Sequence, residues 1–303
     1  MSQPFDWDLL QSFLAVARTG TLTGGARSLK IDHSTLSRRL AALEASLGAR
    51  LFERHVTGYT LTSQGEHLLA RAESMESTAL AIQSDVGQSG ARISGTVRVG
   101  APDGFGTVFL APLLGKLLAA HPDLHVDLVP TPRGFSLSKR EADIAVALSR
   151  PDHGRLYARK LTDYELGVYA SKASPELWAQ IRTPEDLAAR PFIGYIDDLL
   201  YDTELDYMAL VSESIQPRIR SSNLIAQSQA TIAGAGLCIL PCFLADLEPR
   251  LVRVLPDIVR LMRTIWLIVH SDMRELARIQ VVGDFIADEV RRAATRFLPR
   301  SRD

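Results

Sequence analysis

Only two cysteines, Cys238 and Cys242, occur in 303 residues, too few for a disulfide framework. Their C-x3-C spacing matches neither a redox C-x-x-C nor a paired zinc knuckle, and no basic residue adjoins either one. They read as buried apolar thiols in a chain that stays in a reducing compartment. Charge of one sign is also missing. Against 34 Lys+Arg stand 35 Asp+Glu, a formal charge of -1 at pH 7, which excludes a polybasic tail binder and makes any nucleic-acid surface local. Nowhere do about 18 apolar residues run together. The most hydrophobic late stretch, Ile265 to Val269, has the size of a strand. The opening MSQPFDWDLL has no positively charged lead into an apolar segment and does not read as a secretory signal. The expectation is a soluble cytoplasmic protein without a membrane partner. Catalytic motifs are absent too. There is no G-x-S-x-G elbow, P-loop or complete G-x-G-x-x-G, and Gly104-Phe105-Gly106 and Gly234-Ala235-Gly236 read as turns. His121 and His125 have i, i+4 spacing, but Pro122 lies between them and no Glu follows the first. No catalytic residue, metal site or cofactor is expected.

What is present begins with an ordinary globular composition, 46% apolar and 23% charged, enough for two or three domains. The first 65 residues show a 3.6-residue period. Leu10, Phe13, Val16 and Ala17 make one stripe; Leu22, Ala26 and Leu29 make a second, on a helix whose Gly24 and Gly25 admit a close neighbour. In the third, Asp32 is placed as N-cap, and Leu36, Leu40, Leu43 and Leu47 recur before Gly48 ends the helix. That stripe turns Ser34, Thr35, Ser37, Arg38 and Arg39 outward, with His33 at the same end. Hydroxyls and guanidinium groups of this kind hold phosphates and reach base edges. Between Arg27 and Arg54 the basic residues are Arg27, Lys30, Arg38, Arg39, Arg50 and Arg54, and the acidic ones only Asp32, Glu44 and Glu53. The charge pattern by itself also suits a solvated amphipathic helix in a small bundle. The run Leu51-Phe52-Glu53-Arg54, the turn His55 to Gly58 and then Tyr59 to Thr62 add a short hairpin wing.

Residues Leu9 to Gly65 resemble the DNA-binding domain of LysR-type transcriptional regulators. The likeness rests on the ordered set Phe13-x-x-Val16, Gly20-Thr21-Leu22-Thr23, Ala26-x-x-Leu29, Ser37-Arg38-x-Leu40-x-x-Leu43-Glu44-x-x-Leu47-Gly48, Leu51-Phe52-x-Arg54 and Leu61-Thr62-x-x-Gly65. Two departures stand out. His33-Ser34-Thr35 replaces the Gln-Pro-Ala-like opening of the recognition helix, and Val56-Thr57-Gly58 carries no wing arginine. The resemblance implies DNA contacts by His33, Ser34, Thr35, Ser37, Arg38, Arg39 and Arg54. Next, Glu66 to about Gly87 reads as one helix, with Leu68, Ala72, Met75, Ala79, Ile82 and Val86 on a coiled-coil seam. A lone helix packed on its own domain is the alternative. The resemblance implies a linker helix that pairs two protomers.

After the small-residue hinge Gln88 to Ala91, strands and helices alternate, which predicts a largely parallel sheet with helices on its faces. Strands are expected at Thr96–Gly100, His125–Val129, Asp143–Leu148, Glu165–Tyr169 and Thr264–Val269, and helices at Val108–Ala120, Ser222–Gly234 and Glu275–Arg296. Gly95 to the end resembles the effector-binding part of the same family. The matching pieces are Ala101-Pro102-x-Gly104-x-Gly106, Glu141-Ala142-Asp143-Ile144-Ala145 and Gly234-x-Gly236-x-x-x-Leu240-Pro241. The implied fold class is mixed α and α/β: an N-terminal winged helix-turn-helix (1–65), a linker helix (66–90) and a two-lobed α/β effector domain (91–303) resembling type 2 periplasmic binding proteins. Lobe I is expected at about 91–163 and 267–303 and lobe II at about 164–266, with crossovers near Leu161–Tyr164 and Arg263–Trp266.

In open α/β sheets ligands sit beyond the carboxyl ends of strands. That rule gathers Pro102, Asp103, Gly104 and Phe105 with Ser149 and Arg150 around one crevice, faced by Tyr195, Ser222 and Asn223. A helix N-terminus there, with Arg150, would favour an anionic or polar metabolite, although Asp103 opposes a second negative charge unless it caps a helix. The expected partners are double-stranded promoter DNA, a small-molecule effector and a second copy of the chain, as homodimer or homotetramer, with RNA polymerase a further candidate. Three rivals stay open: a solute-binding protein, an α/β enzyme, and a regulator that no longer senses a ligand.

Overall fold

The computed structural model describes residues 6–55, 58–86, 93–131, 141–152 and 154–299. They form two compact units, one carrying the described residues up to 86 and the other those from 93 onward.

The N-terminal unit contains α1 (Trp7–Thr19), α2 (Leu22–Leu29), α3 (His33–Leu47), the hairpin β1 (Phe52–His55) and β2 (Gly58–Leu61), and α4 (Ser63–Val86). Local chemistry sets the boundaries. Asp6 Oδ1 accepts from Asp8 N at 2.9 Å and Thr21 Oγ1 from Gly24 N at 3.0 Å, answering the free N–H groups that open α1 and α2. The first three helices stop at left-handed residues, Gly20, Lys30 and Gly48. Asp32 occupies the N-cap position of α3, but its side chain makes no cap bond; its carbonyl starts the helix by accepting from Leu36 N at 3.0 Å. Thr62 sets the start of α4 three residues earlier than expected, its hydroxyl accepting from Gly65 N at 3.1 Å and donating to Arg50 O at 2.7 Å. Leu10, Phe13, Val16, Leu36, Leu40, Leu43, Leu51 and Phe52 form one core. Leu47 does not join it and stays 44% exposed in the last turn. At Gly25 a Cβ would lie 3.0 Å from Leu36 and 3.2 Å from Val16, so the absent side chain lets the three helices close.

In the C-terminal unit the chain runs β3 (Gly95–Ala101), α5 (Leu114–Ala120), β4 (Leu124–Pro130), β5 (Ile144–Ala147), β6 (Leu156–Ser171), β7 (Phe192–Gly194), β8 (Pro217–Arg220), α6 (Leu224–Ile232), β9 (Leu237–Pro241), α7 (Cys242–Ala245), β10 (Leu251–Val254), β11 (Leu261–His270), α8 (Ala277–Arg292) and α9 (Ala294–Phe297). The strands join in the order β4-β3-β5-β11-β6-β9-β7-β8, with β10 beside β6. The sheet is mixed rather than largely parallel. β3 runs parallel to β4 and β5, and β7 to β8 and β9, whereas β6 and β11 pair antiparallel with each other and with their other neighbours. These two strands tie the halves together. Trp266–Val269 of β11 pairs with β5, while Leu166–Tyr169 of β6 pairs with β9. Between them the β6–β11 register slips at Ile265/Trp266, where Thr162 faces Ile265 and Lys160 faces Trp266. A bulge of this kind raises local twist and lets one long ladder serve two lobes.

Two expected helices are broken. Val108–Ala120 is a wide turn over Phe105–Leu110, a single 3-10 turn at Ala111–Leu113 and only then α5; Pro112, which has no N–H to give, stands in that 3-10 turn. The C-terminal helix is interrupted at Ala293. Cys238 and Cys242 are buried, and loss of water around the thiols pushes them up to about 12 and about 11 respectively, so they stay protonated.

Candidate DNA-reading face and effector crevice

Burial of Leu36, Leu40 and Leu43 orients α3 so that His33, Ser34 and Arg38 are exposed, with Thr35, Ser37 and Arg39 half-buried beside them. The two arginines differ. Arg39 Nη2 donates to Asp8 Oδ2 at 2.8 Å, so its charge is partly answered within the fold. Among the described residues no acceptor holds Arg38. Arg54 lies on the exposed side of β1, its guanidinium carbon 5.6 Å from the ring centre of Tyr59, which in turn meets Phe52 edge-on. The hairpin is anchored by two groups that the sequence shows only as motif positions. Glu44 Oε1 accepts from Leu51 N at 2.8 Å, and Gly20 O accepts from Tyr59 N at 2.8 Å. Val56 and Thr57, the expected wing tip, lie outside the described residues.

The first half of the expected α4 seam also packs on its own unit. Ala72 is fully buried in the core of the N-terminal unit, and the half-buried Leu68 packs against that core. A small residue at 72 is what lets α4 lie close to the domain. Arg18 clamps the same face, donating to Glu76 at 2.6 Å and 3.2 Å. Met75 is 45% exposed and Ala79 half-buried. The side chains of Ile82 and Val86, and the hinge at Gln88 to Ala91, lie outside the described residues.

In the C-terminal unit a crevice opens where β3 ends. Pro102, Asp103, Gly104, Phe105 and Tyr195 line it, together with Tyr164, Tyr201, Tyr207, Phe243 and several aliphatic side chains. Asp103, only 5% exposed, reaches across to the other lobe, where Oδ2 accepts from Leu224 N at 2.6 Å. The N-terminus of α6 is thereby occupied by a carboxylate of this chain. Burial raises the Asp103 pKa above its usual range, opposed by the backbone N–H groups that meet it. Gly104 eases this approach, since a Cβ there would lie 2.5 Å from Leu224 Cδ2 and oblige that side chain to shift. Beneath the turn, Phe105, Phe109, Phe243 and Phe297 stack with centroid spacings of 4.9–6.4 Å, which fixes its position. Loss of water raises the phenol pKa values of Tyr164, Tyr195, Tyr201 and Tyr207, which therefore remain O–H donors. The crevice cavity measures about 30 Å³, room for about one water molecule.

The other expected crevice residues stand elsewhere. Ser149 is exposed and does not line the cavity; its Oγ donates to Asp202 Oδ2 at 2.8 Å, a second link between lobes. Arg150 does not line the cavity, and its guanidinium carbon lies 5.9 Å from the Trp266 ring centre. Asn223 is not a wall of the cavity but caps α6, accepting from Ala226 N at 2.8 Å; α6 consequently starts at Leu224, and Ser222 lies outside it. Tyr201 and Tyr207 were overlooked, although Tyr195, Tyr201 and Tyr207 recur every six residues in one segment. Among the described residues no group of His, Cys, Asp and Glu could hold a metal ion, and no helix is long and apolar enough to cross a membrane.

A winged helix-turn-helix with a basic exposed helix face, carried on one chain with a two-lobed α/β domain, defines a ligand-responsive DNA-binding regulator. Comparison with known proteins gives the particular family. Residues 7–66 match the bacterial regulatory helix-turn-helix protein of the lysR family and residues 90–291 match the LysR substrate binding domain, so the chain belongs to the LysR family of transcriptional regulators. It is 29% identical to the Mau operon transcriptional activator of Paracoccus denitrificans, over 93% of this chain and 96% of that one. It is 30% identical to the HTH-type transcriptional regulator PtxR of Pseudomonas aeruginosa, over 82% and 81%. The fold is similar to that of CrgA, a LysR-type regulator from Neisseria meningitidis, with TM-score 0.59 and 24% identity over 94% of this chain and 99% of that one. Regulators of this family bind DNA and small-molecule effectors and form oligomers.

Proposed function

We propose that this regulator reads promoter DNA through the N-terminal half of α3 and answers to a small molecule in the crevice at Asp103. His33, Ser34, Thr35, Ser37 and Arg38 supply the major-groove contacts; Arg54 of the hairpin holds a phosphate, and Arg39 assists when it leaves Asp8. The observation that carries the reading is the exposed, unheld guanidinium of Arg38 on a helix whose buried leucines fix its direction. A homo-oligomer places at least two such helices in successive major grooves of a partly palindromic site. Met75, Ala79, Ile82 and Val86 are the part of the seam proposed to pair protomers. Effector binding between the lobes favours one arrangement of protomers and so changes promoter occupancy, with RNA polymerase the machinery that responds and the cytoplasm the place of action. Two side chains that reach between the lobes, Asp103 and Ser149, support the crevice as the element that moves.

The test is capture of fragmented genomic DNA by the full-length protein at near-physiological salt, with Arg38→Ala in parallel. A few enriched sites with dyad symmetry, lost in the variant, are expected. Uniform enrichment that disappears as salt is added would leave only non-specific electrostatics and sink the reading.

A further inference from the structure

The walls of the crevice carry a charge preference that family membership does not supply. Among the residues lining the cavity the single charged side chain is Asp103, and the remainder are aromatic, aliphatic, glycine or proline. Helix N-termini attract anions, but that of α6 is already met by Asp103 at Leu224 N and by Asn223 at Ala226 N. Arg220 lines the neighbouring pocket on the other side of Tyr195 and Tyr207 and is no wall of this one. Asp202 is held by Ser149, and Arg263 Nε lies 2.7 Å from Glu204 Oε2. Arg150, the cation expected to serve the pocket, is exposed and turned to Trp266. An anionic ligand would lose its water and meet a carboxylate with no cation among the lining residues to answer it. A protonated amine would meet a carboxylate and the negative faces of tyrosine rings. Asp103 can serve it while keeping Leu224 N on Oδ2, the ligand's donor displacing one of the weaker backbone contacts from Gly104 or Ile225.

We propose that Asp103 sets effector specificity, so that the crevice takes a compact aromatic molecule bearing an amine and rejects its carboxylate counterpart. This rests on the reading of the crevice as the effector site. The cavity of about 30 Å³ is too small for such a molecule, so the lobes must part to admit it, and its donor then joins Leu224 N on the Asp103 carboxylate.

Benzylamine, benzyl alcohol and benzoate, equal in ring size and different in charge, are the probes, titrated calorimetrically into the full chain. The amine is expected to bind best and benzoate worst, with a gap on the order of tenfold. Asp103→Asn keeps an acceptor for Leu224 N, so α6 stays capped, and should close most of that gap. Benzoate binding as well as the amine, an unchanged gap in Asp103→Asn, or no binding by any probe overturns the proposal. Leu148→Trp and, as a milder filling, Ile265→Phe separate the two ways to fail. If either folded variant loses all binding while benzoate is the best ligand of the wild type, the crevice reading stands and the charge assignment falls. If both bind as the wild type does, the ligands sit elsewhere and the crevice reading itself has failed.

Discussion

Arg38 and Arg39 are adjacent in sequence, and what separates them is a partner. Arg39 is paired with Asp8 and is half-buried; Arg38 projects with nothing to hold it among the described residues. Arg38→Ala should therefore cost about 1–3 kcal/mol of specific binding if the side chain reads a base, or lower the salt slope by about 1 if it holds a phosphate. Arg39→Ala should cost less than about 1 kcal/mol, since an exposed pair must be broken before that arginine can act. Titrations on specific and random DNA across a salt series check both, and equal losses in the two variants would refute the distinction. A second residue-scale expectation concerns pH. Burial acts to raise the Glu165 carboxyl, but hydrogen bonds from Arg260 and Arg253 outweigh it and hold the group below the usual range. A depressed carboxylate contributes stability that is complete above its unfolded pKa and lost as pH falls through the folded value. Urea midpoints between about pH 7 and about pH 3 should fall less in Glu165→Gln than in the wild type. At neutral pH Glu165→Ala should cost about 3 kcal/mol, because it strands the half-buried Arg253. The exposed residues of α3 were legible because a leucine stripe fixes the opposite face. Asp103 was legible as a candidate, but its partner Leu224 lies far along the chain, and no local pattern encodes that contact.

At the scale of elements, periodicity revealed α1 to α4 because each has one face buried in the same core. It does not decide the use of the α4 face. Leu68 and Ala72 fit a heptad seam and equally a helix lying on its own domain, and spacing alone does not separate those cases. The mixed sheet was hidden for a related reason: β6 and β11 are antiparallel partners in a part of the chain where alternating helices and strands suggest parallel order. The hairpin offers a sharp test. Gly58 has φ +143°, and a Cβ there would lie 2.4 Å from Gly20 O, the acceptor of the Tyr59 N–H. Gly58→Ala should destabilise the N-terminal unit by about 1–3 kcal/mol and weaken DNA binding. Gly48, at φ +62°, has open space where a Cβ would stand, with no atom within 4 Å, so Gly48→Ala carries only the cost of the left-handed backbone, about 1 kcal/mol. Thermal melts of the two variants should rank in that order, and the reverse order would show that the close approach at Gly20 costs less than the left-handed backbone at Gly48.

For the whole molecule, the division into two compact units makes a statement about cooperativity. Each unit has its own buried core, so unfolding of the full chain should not be two-state. Scanning calorimetry should resolve two transitions. Gly58→Ala should lower only that of the N-terminal unit, because its clash is with Gly20. A crevice ligand should raise only the other, by RT ln(1 + [L]/Kd), about 2.7 kcal/mol at one hundred times Kd. Asp103→Asn should affect that second transition alone, since its contact with Leu224 lies wholly within the C-terminal unit. Coupling would show as departure from this independence. If the ligand also moves the first transition in the full chain, and operator DNA reciprocally moves the second, the two sites share a coupling free energy of equal size in both directions. If each binding partner moves only the transition of its own unit, regulation must act through oligomer geometry rather than through the stability of a single protomer.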